Sequence, residues 1–209
     1  MKKFTIARPG YPYVIAALVL TIFLYAKASF LTPVFLFLTI FIAFFFRDPV
    51  RTSPLGETLI LAPADGKVIK VEKVFEPHFI EGEALKVSIF LSIFDVHINR
   101  SPVKGTISMI KYIPGRFFAA YKDEASLSNE KNLIGIETEE GRFLVVQIAG
   151  LIARRILCWI NIGDKVERGM RLGMIKFGSC TEIYMPLQIN LKVREGDRVR
   201  AGETVLGEI

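Results

Sequence analysis

Gly163-Asp164-Lys165-Val166-Glu167-Arg168-Gly169, followed by Leu172-Gly173-Met174-Ile175, returns near the C-terminus with one extra residue as Gly196-Asp197-Arg198-Val199-Arg200-Ala201-Gly202, followed by Leu206-Gly207-Glu208-Ile209. Each copy spells a Gly-Asp turn, a short strand, a second glycine turn and another strand. Glycine reaches positive φ without a steric penalty, and an aspartate side chain closes a turn on nearby backbone. Outward from these copies, short runs rich in β-branched and aromatic residues alternate with Gly and Pro: Lys67–Val74, Leu85–Val96, Thr106–Ile113, Leu133–Thr138, Arg142–Ile148, Ile152–Ile160, Arg171–Phe177, Thr181–Met185 and Ile189–Val193. That pattern predicts strands. Phe117–Lys131, richer in Ala, Lys, Glu and Ser, reads as helical or irregular. The fold class expected is mainly β, of the α+β kind.

The repeats resemble the hairpins of lipoyl- and biotinyl-type domains, with Pro63-Ala64-Asp65-Gly66-Lys67-Val68 as a looser third relative. No lysine stands at a hairpin tip in the setting that lipoylation requires, so the repeats read as architecture. Ahead of the β region, Tyr11–Phe46 carries one charge, Lys27. Its halves, Tyr11–Ala26 and Phe30–Phe46, are each a little short of the roughly 20 residues of a spanning helix, which predicts a tight helical hairpin. Lys2, Lys3 and Arg8 precede it and Arg47 and Arg51 follow it, so the positive-inside rule puts both ends in the cytoplasm. A cleaved signal peptide fits poorly, because the apolar region is long, divided and ends in aromatic residues. Residues 1–46 are therefore expected to anchor the chain in a membrane and 47–209 to form the β domain, joined through a Pro- and Gly-bearing linker, Arg47–Glu57.

Two cysteines, Cys158 and Cys180, supply neither a disulfide framework nor a metal cluster, and no metal site or nucleic-acid partner is expected. The net charge of +6 suits anionic lipid and also plain solubility. The two histidines leave few bases near neutral pH. His97 sits where a strand runs into the polar turn of Asp95-Val96-His97-Ile98-Asn99-Arg100-Ser101-Pro102, whereas His78 in Glu76-Pro77-His78-Phe79 reads as a surface turn. Asp65 before Gly66 is an ordinary turn residue and also a group able to orient an imidazole. Arg154 and Arg155 interrupt an apolar run, so at least one leaves the buried face, where an arginine meets solvent or a lipid phosphate. In Phe177-Gly178-Ser179-Cys180 the glycine leaves its carbonyl open to the next hydroxyl. Attack by that hydroxyl, elimination of the resulting ester and loss of ammonia would turn Ser179 into a pyruvoyl ketone.

In order along the chain, Pro63-Ala64-Asp65-Gly66, Asp95 to Pro102, Tyr112-Ile113-Pro114-Gly115-Arg116-Phe117, Gln147-Ile148-Ala149-Gly150 and Gly178-Ser179 resemble the phosphatidylserine decarboxylase family, in its compact bacterial and archaeal branch. The resemblance implies a proenzyme cleaved between Gly178 and Ser179 into a β chain, residues 1–178, and an α chain, residues 179–209, which stay associated. It implies a pyruvoyl cofactor made from Ser179 that condenses with the amine of a serine phospholipid and accepts the electrons of the breaking carboxylate bond. Asp65 and His97 are the implied partners of Ser179. The lipid is phosphatidylserine or, as the alternative, archaetidylserine, and a homo-oligomer is compatible with this reading. Arg100 stands where larger members carry a second histidine, and Cys180 where Thr is common. The competing reading from another class is a non-enzymatic membrane adaptor that uses the lipoyl-like hairpins for contacts.

Overall fold

Proline near the start of each apolar run favours a helix there, since its fixed φ suits a first turn whose N–H groups have no intrahelical partner. The computed structural model, which describes residues 5–56, 58–116, 118, 128–150, 155–176 and 179–209, has helices α1 (Tyr11–Ala26) and α2 (Thr32–Phe45) at these runs. Between them Ala28 adopts a φ of 49°, and the hydroxyls of Thr21 and Thr39 meet at 3.0 Å across the helix pair. With the 3-10 turn before it, Arg8–Ala26 is 19 residues long and apolar enough to cross a membrane, while Thr32–Phe45 is shorter. Tyr25, Phe30 and Phe37 are exposed. The chain divides into two compact units, Met1–Val50 and Arg51–Ile209.

In the second unit one antiparallel sheet runs in the order β13 (Arg198–Val199), β2 (Gly66–Glu76), β3 (Gly82–Leu91), β11 (Ser179–Met185), β7 (Gly141–Ala149), β6 (Lys131–Thr138), β5 (Gly105–Ile113), β9 (Lys165–Val166). Two small sheets accompany it: β1 (Leu59–Leu61), β14 (Val205–Glu208) and β12 (Asn190–Leu191) in one, and β4 (Ile98–Arg100), β10 (Arg171–Ile175) and β8 (Ile156–Cys158) in the other. The mainly β expectation holds.

The sequence repeat has a structural counterpart. Gly163 and Gly196 donate equivalent backbone hydrogen bonds of 2.8 Å to Ile107 and Val68, and Gly169 and Gly202 do the same to Ser101 at 2.8 Å and Ala62 at 2.9 Å. Between these elements the Leu61 N–H meets the Pro102 carbonyl and the Arg100 N–H meets the Pro63 carbonyl, both at 2.9 Å. An approximate twofold axis thus relates β1–β2 to β4–β5 and the repeat β9–β10 to β13–β14. Pro63 to Val68 is a partner of the second repeat copy, matched by Pro102 to Ile107.

Period-two alternation sends Val87, Ile89 and Leu91 of β3, Phe143 and Val145 of β7, and Ile183 and Met185 of β11 into the main core. The intervening Leu144, Val146, Ile148 and Cys180 pack with Phe79 on the other face. Both faces of the central strands are buried, which is why β7 reads as a nearly unbroken apolar run.

Several strand boundaries move. The run Leu85–Val96 breaks after Leu91, because the Asp95 carboxylate accepts both the Ser92 N–H at 2.9 Å and its hydroxyl at 2.7 Å, turning the chain into β4. The strand expected over Arg171–Phe177 ends at Ile175, the one expected from Thr181 begins at Ser179, and that over Ile189–Val193 shortens to Asn190–Leu191. Most of Phe117–Lys131 and the first part of Ile152–Ile160 lie outside the described residues.

Candidate active site

Ser179 opens β11, paired through its backbone with Leu91 on one side and Ala149 on the other. Alternation along the strand puts Ser179 and Thr181 on the face that continues into the core as Ile183 and Met185. Ser179 and Thr181 are fully buried. The Ser179 Oγ is, among the described residues, a buried side-chain oxygen with no hydrogen-bond partner. Leaving a buried hydroxyl unpaired costs about 1–3 kcal/mol, so such an atom needs an explanation.

His97, also fully buried, immediately precedes β4. Its carbonyl accepts the Ile175 N–H at 3.1 Å, tying it to the end of β10, from which the chain continues through Lys176 towards Ser179. The ring Nδ1 lies 3.0 Å from the carbonyl of Asp95. A carbonyl only accepts, so Nδ1 carries the proton there and Nε2 keeps the lone pair that a general base uses.

The two strands are joined by a ladder of buried amides. Asn99 Nδ2 donates to Thr181 Oγ1 at 2.8 Å, Gln147 Nε2 to Asn99 Oδ1 at 2.8 Å, and Asn132 Nδ2 to Gln147 Oε1 at 3.0 Å. His97 and Ser179 each lie two residues before the partners of the first of these bonds. Gly173 makes room for the ladder: a Cβ there would sit 2.1 Å from the Leu157 carbonyl oxygen and 3.1 Å from Gln147 Nε2. Asn129, fully buried, pins Phe118 through both its N–H and carbonyl, and donates at 2.7 Å to the carbonyl of Ala149, the neighbour of Ser179.

Asp65 is buried at the turn into β2, and its carboxylate is held by Arg51 and by the backbone of Ala201. Oδ2 takes Arg51 Nη2 at 2.6 Å and Oδ1 takes the Ala201 N–H at 2.8 Å. Burial pushes this carboxyl above its ordinary range and the Arg51 charge pulls it back down. Next to it, Gly66 has a φ of 152° and no space for a side chain, since a Cβ would lie 2.1 Å from the Phe90 carbonyl oxygen. Arg155 is exposed, and its carbonyl accepts the Lys176 N–H at 3.2 Å, close to Ser179 in the chain. Gly178 and Arg154 lie outside the described residues. Arg100, at the place of the second histidine, is buried and donates at 2.9 Å to the Gly169 carbonyl, a structural tie to the repeat turn. His78 is exposed on the turn expected of it.

From sequence, the amide ladder and Asn129 had no role, and Arg51 had one only as a charge flanking the apolar hairpin. Gln147 had a signal, since an amide interrupting the apolar run Phe143–Ala149 must find a buried partner.

The structure thus has a buried serine hydroxyl with no partner among the described residues at the head of β11 and an imidazole just before β4, with the two strands linked through the Asn99–Thr181 bond. The model of the phosphatidylserine decarboxylase family matches residues 38–207. The chain is 47% identical over 210 residues to a phosphatidylserine decarboxylase proenzyme of Symbiobacterium thermophilum, covering 100% of this chain and 98% of that one. The proenzyme of Carboxydothermus hydrogenoformans is 48% identical over 204 residues, 97% of this chain and 95% of its own. That of Desulfotalea psychrophila is 45% identical over 206 residues, with 98% and 96% covered. The chain belongs to the phosphatidylserine decarboxylase family, a family of decarboxylases.

Proposed function

We propose that the chain is a self-processing precursor that cuts itself between Gly178 and Ser179 and decarboxylates phosphatidylserine at the group formed from Ser179. The observation that carries this reading is the buried, unpartnered Ser179 Oγ at the head of a central strand. A hydroxyl with no competing bond is free to attack the preceding carbonyl, and its rigid strand gives it little freedom to turn away. The Oγ proton passes to His97 Nε2, the Oγ bonds to the Gly178 carbonyl carbon, and the Gly178–Ser179 C–N bond breaks with a proton going to the freed nitrogen, leaving an ester. Removal of a proton from the Ser179 Cα then breaks the Cβ–Oγ bond. Gly178 leaves as a carboxylate, and addition of water with loss of ammonia yields the ketone of the Ser179–Ile209 chain.

The ketone supplies an electron sink for the carbon–carboxylate bond of an amine-bearing substrate. The residues present fit such a group: Ser179 is held by strands on both sides in a water-poor site, and the His97 imidazole is oriented by the Asp95 carbonyl to carry a proton. Asp65 acts on the site through the turn that it fixes. Arg155 and Arg154 are the cationic side chains closest in sequence to β8 and suit the lipid phosphate. The apolar hairpin anchors the enzyme, and Lys2, Lys3, Arg8, Arg47 and Arg51 put both its ends on the cytoplasmic face.

The test is the state of the purified protein. Denaturing electrophoresis and mass spectrometry should find residues 1–178 and 179–209 as separate chains, the smaller with a ketone at its N-terminus. Borohydride with phosphatidylserine should attach lipid to that smaller chain. Recovery of wild-type protein only at full length would overturn the proposal, and lipid capture with archaetidylserine alone would reassign the substrate.

A further inference from the structure

The two turns related by the approximate twofold axis carry opposite charges at one pair of equivalent places. Where one has Asp65, the other has Lys104, which lies on the surface, 3.6 Å from an equally exposed Glu167. Both turns make the same exchange of backbone bonds between Pro63, Arg100, Leu61 and Pro102. The architecture therefore closes without a buried carboxylate. At Asp65 the chain instead buries an ion pair: Arg51 Nη2 at 2.6 Å from Oδ2, with Arg51 Nη1 at 2.9 Å from Glu203 Oε2, and side-chain exposures of only 8% for Arg51 and 12% for Asp65. Burying ions costs desolvation that their attraction offsets only with good geometry, so a pair that the fold can do without points to a role at the site.

We infer that Arg51 is a positioning residue for the reactions at Ser179: it clamps Asp65, whose turn presents the Pro63 carbonyl to β4, the strand that follows His97. The inference rests on the reading of Ser179, His97 and Asp65 given above. The Pro63 carbonyl accepts the Arg100 N–H at 2.9 Å and Asn99 Nδ2 at 3.5 Å, so the clamp reaches both the His97 strand and the amide ladder. The charged groups around the carboxylate are Arg51, Glu203 behind it, Arg200 at 3.9 Å from Glu203, and Asp95, whose negative charge adds to the upward push on Asp65. Arg51 is also the first residue after the N-terminal unit. The segment that leaves the apolar hairpin thus carries a part of the site.

The experiment follows conversion of freshly synthesised full-length precursor into two chains across a pH series. Wild type, Arg51→Met, Arg51→Lys and Asp65→Asn are compared, with the thermal melt of each. Arg51→Met removes the charge that lowers the Asp65 carboxyl, so the acid limb of processing should move up by about one pH unit. Arg51→Lys keeps the charge but loses the fork that spans Asp65 and Glu203. It should hold the wild-type limb and process more slowly. A merely structural arginine would lower the melting temperature in both variants and leave the limb in place. If Arg51→Met does not fold, Arg51→Lys decides alone: processing at the wild-type rate overturns the inference. So does slow processing by Asp65→Asn beside a wild-type rate and profile in Arg51→Met. A wild-type chain that never divides overturns the proposed function itself.

Discussion

On one face of β11, Glu182 is buried with Ser88 Oγ at 3.3 Å, Tyr184 OH at 2.8 Å and Lys86 Nζ at 3.6 Å, and Lys86 reaches on to Glu72 at 2.6 Å. On the other, Thr181 is matched by Asn99 while Ser179 Oγ has no partner among the described residues. The same strand, in the same sheet, compensates its polar groups on one side and leaves one exposed to chemistry on the other. Adjacent potential nucleophiles are separated by this division. The Cys180 thiol points to the compensated face, where burial and the Glu182 charge push its pKa far up and keep the proton on sulfur. Tyr184 is held protonated for the same reasons. Reactivity is left to the oxygen of Ser179.

The sharpest break of this contrast is Ser179→Ala. It should abolish division of the chain completely while leaving the melting temperature unchanged or raised, because the cost of an unpaired buried hydroxyl, about 1–3 kcal/mol, disappears. Electrophoresis and calorimetry read the two effects separately. A variant that unfolds would show that the hydroxyl is structural. Next in size is His97→Ala, expected to slow processing by about 10²-fold or more, the usual worth of a positioned general base. His78→Ala, on an exposed turn, should process like wild type, and equal loss in both would remove His97 from the site.

How much of this was legible beforehand follows the range of the interactions. The β class, the repeat and the helical hairpin came from local signals: glycine turns, alternation and an almost uncharged stretch. Ser179 was legible because its chemistry depends on its own neighbour, Gly178. The break after Leu91 was not, because it depends on the Asp95 side chain reaching back to Ser92. The ladder Asn132–Gln147–Asn99–Thr181 joins residues far apart in sequence, and no spacing announces it. Asp65 was legible by its matching position as a partner of Ser179 together with His97, but the groups that hold its oxygens, Arg51 and the Ala201 N–H, come from distant parts of the chain. The twofold relation between Pro63 to Val68 and Pro102 to Ile107 lay in backbone pairing that the two sequences express differently.

The ladder offers an intermediate test. Gln147→Leu keeps roughly the volume but strands the Asn99 carbonyl oxygen and the Asn132 amide, at a cost of about 1–3 kcal/mol for each unpaired group. Stability should fall by that order in a denaturant melt, and processing should slow without a shift in its pH profile, since no charge changes. Gln147→Glu would instead place a carboxylate against the Asn99 carbonyl oxygen 2.8 Å away and should be worse than Leu in both measurements. If Gln147→Leu lowers stability but divides at the wild-type rate, the ladder holds the core together without holding Ser179.

The smallest effect belongs to Cys180, and it tests whether the two faces of β11 are independent. Its side chain packs among Phe79, Leu133, Leu144, Val146 and Ile148, so Cys180→Ala removes one buried sulfur from an apolar cluster. Loss of that packing should cost about 1 kcal/mol in a melt, within the ordinary range for a small core truncation. Because the thiol keeps its proton and points away from Ser179, division of the chain should proceed at the wild-type rate, and thiol reagents should leave the folded precursor unmodified at this position while reacting at the exposed Cys158. Cys180→Ala that divides several-fold more slowly than wild type, at a melting temperature that shows it folded, would mean that packing on the outer face sets the position of Ser179 on the inner one. The contrast between the faces would then be one of charge alone.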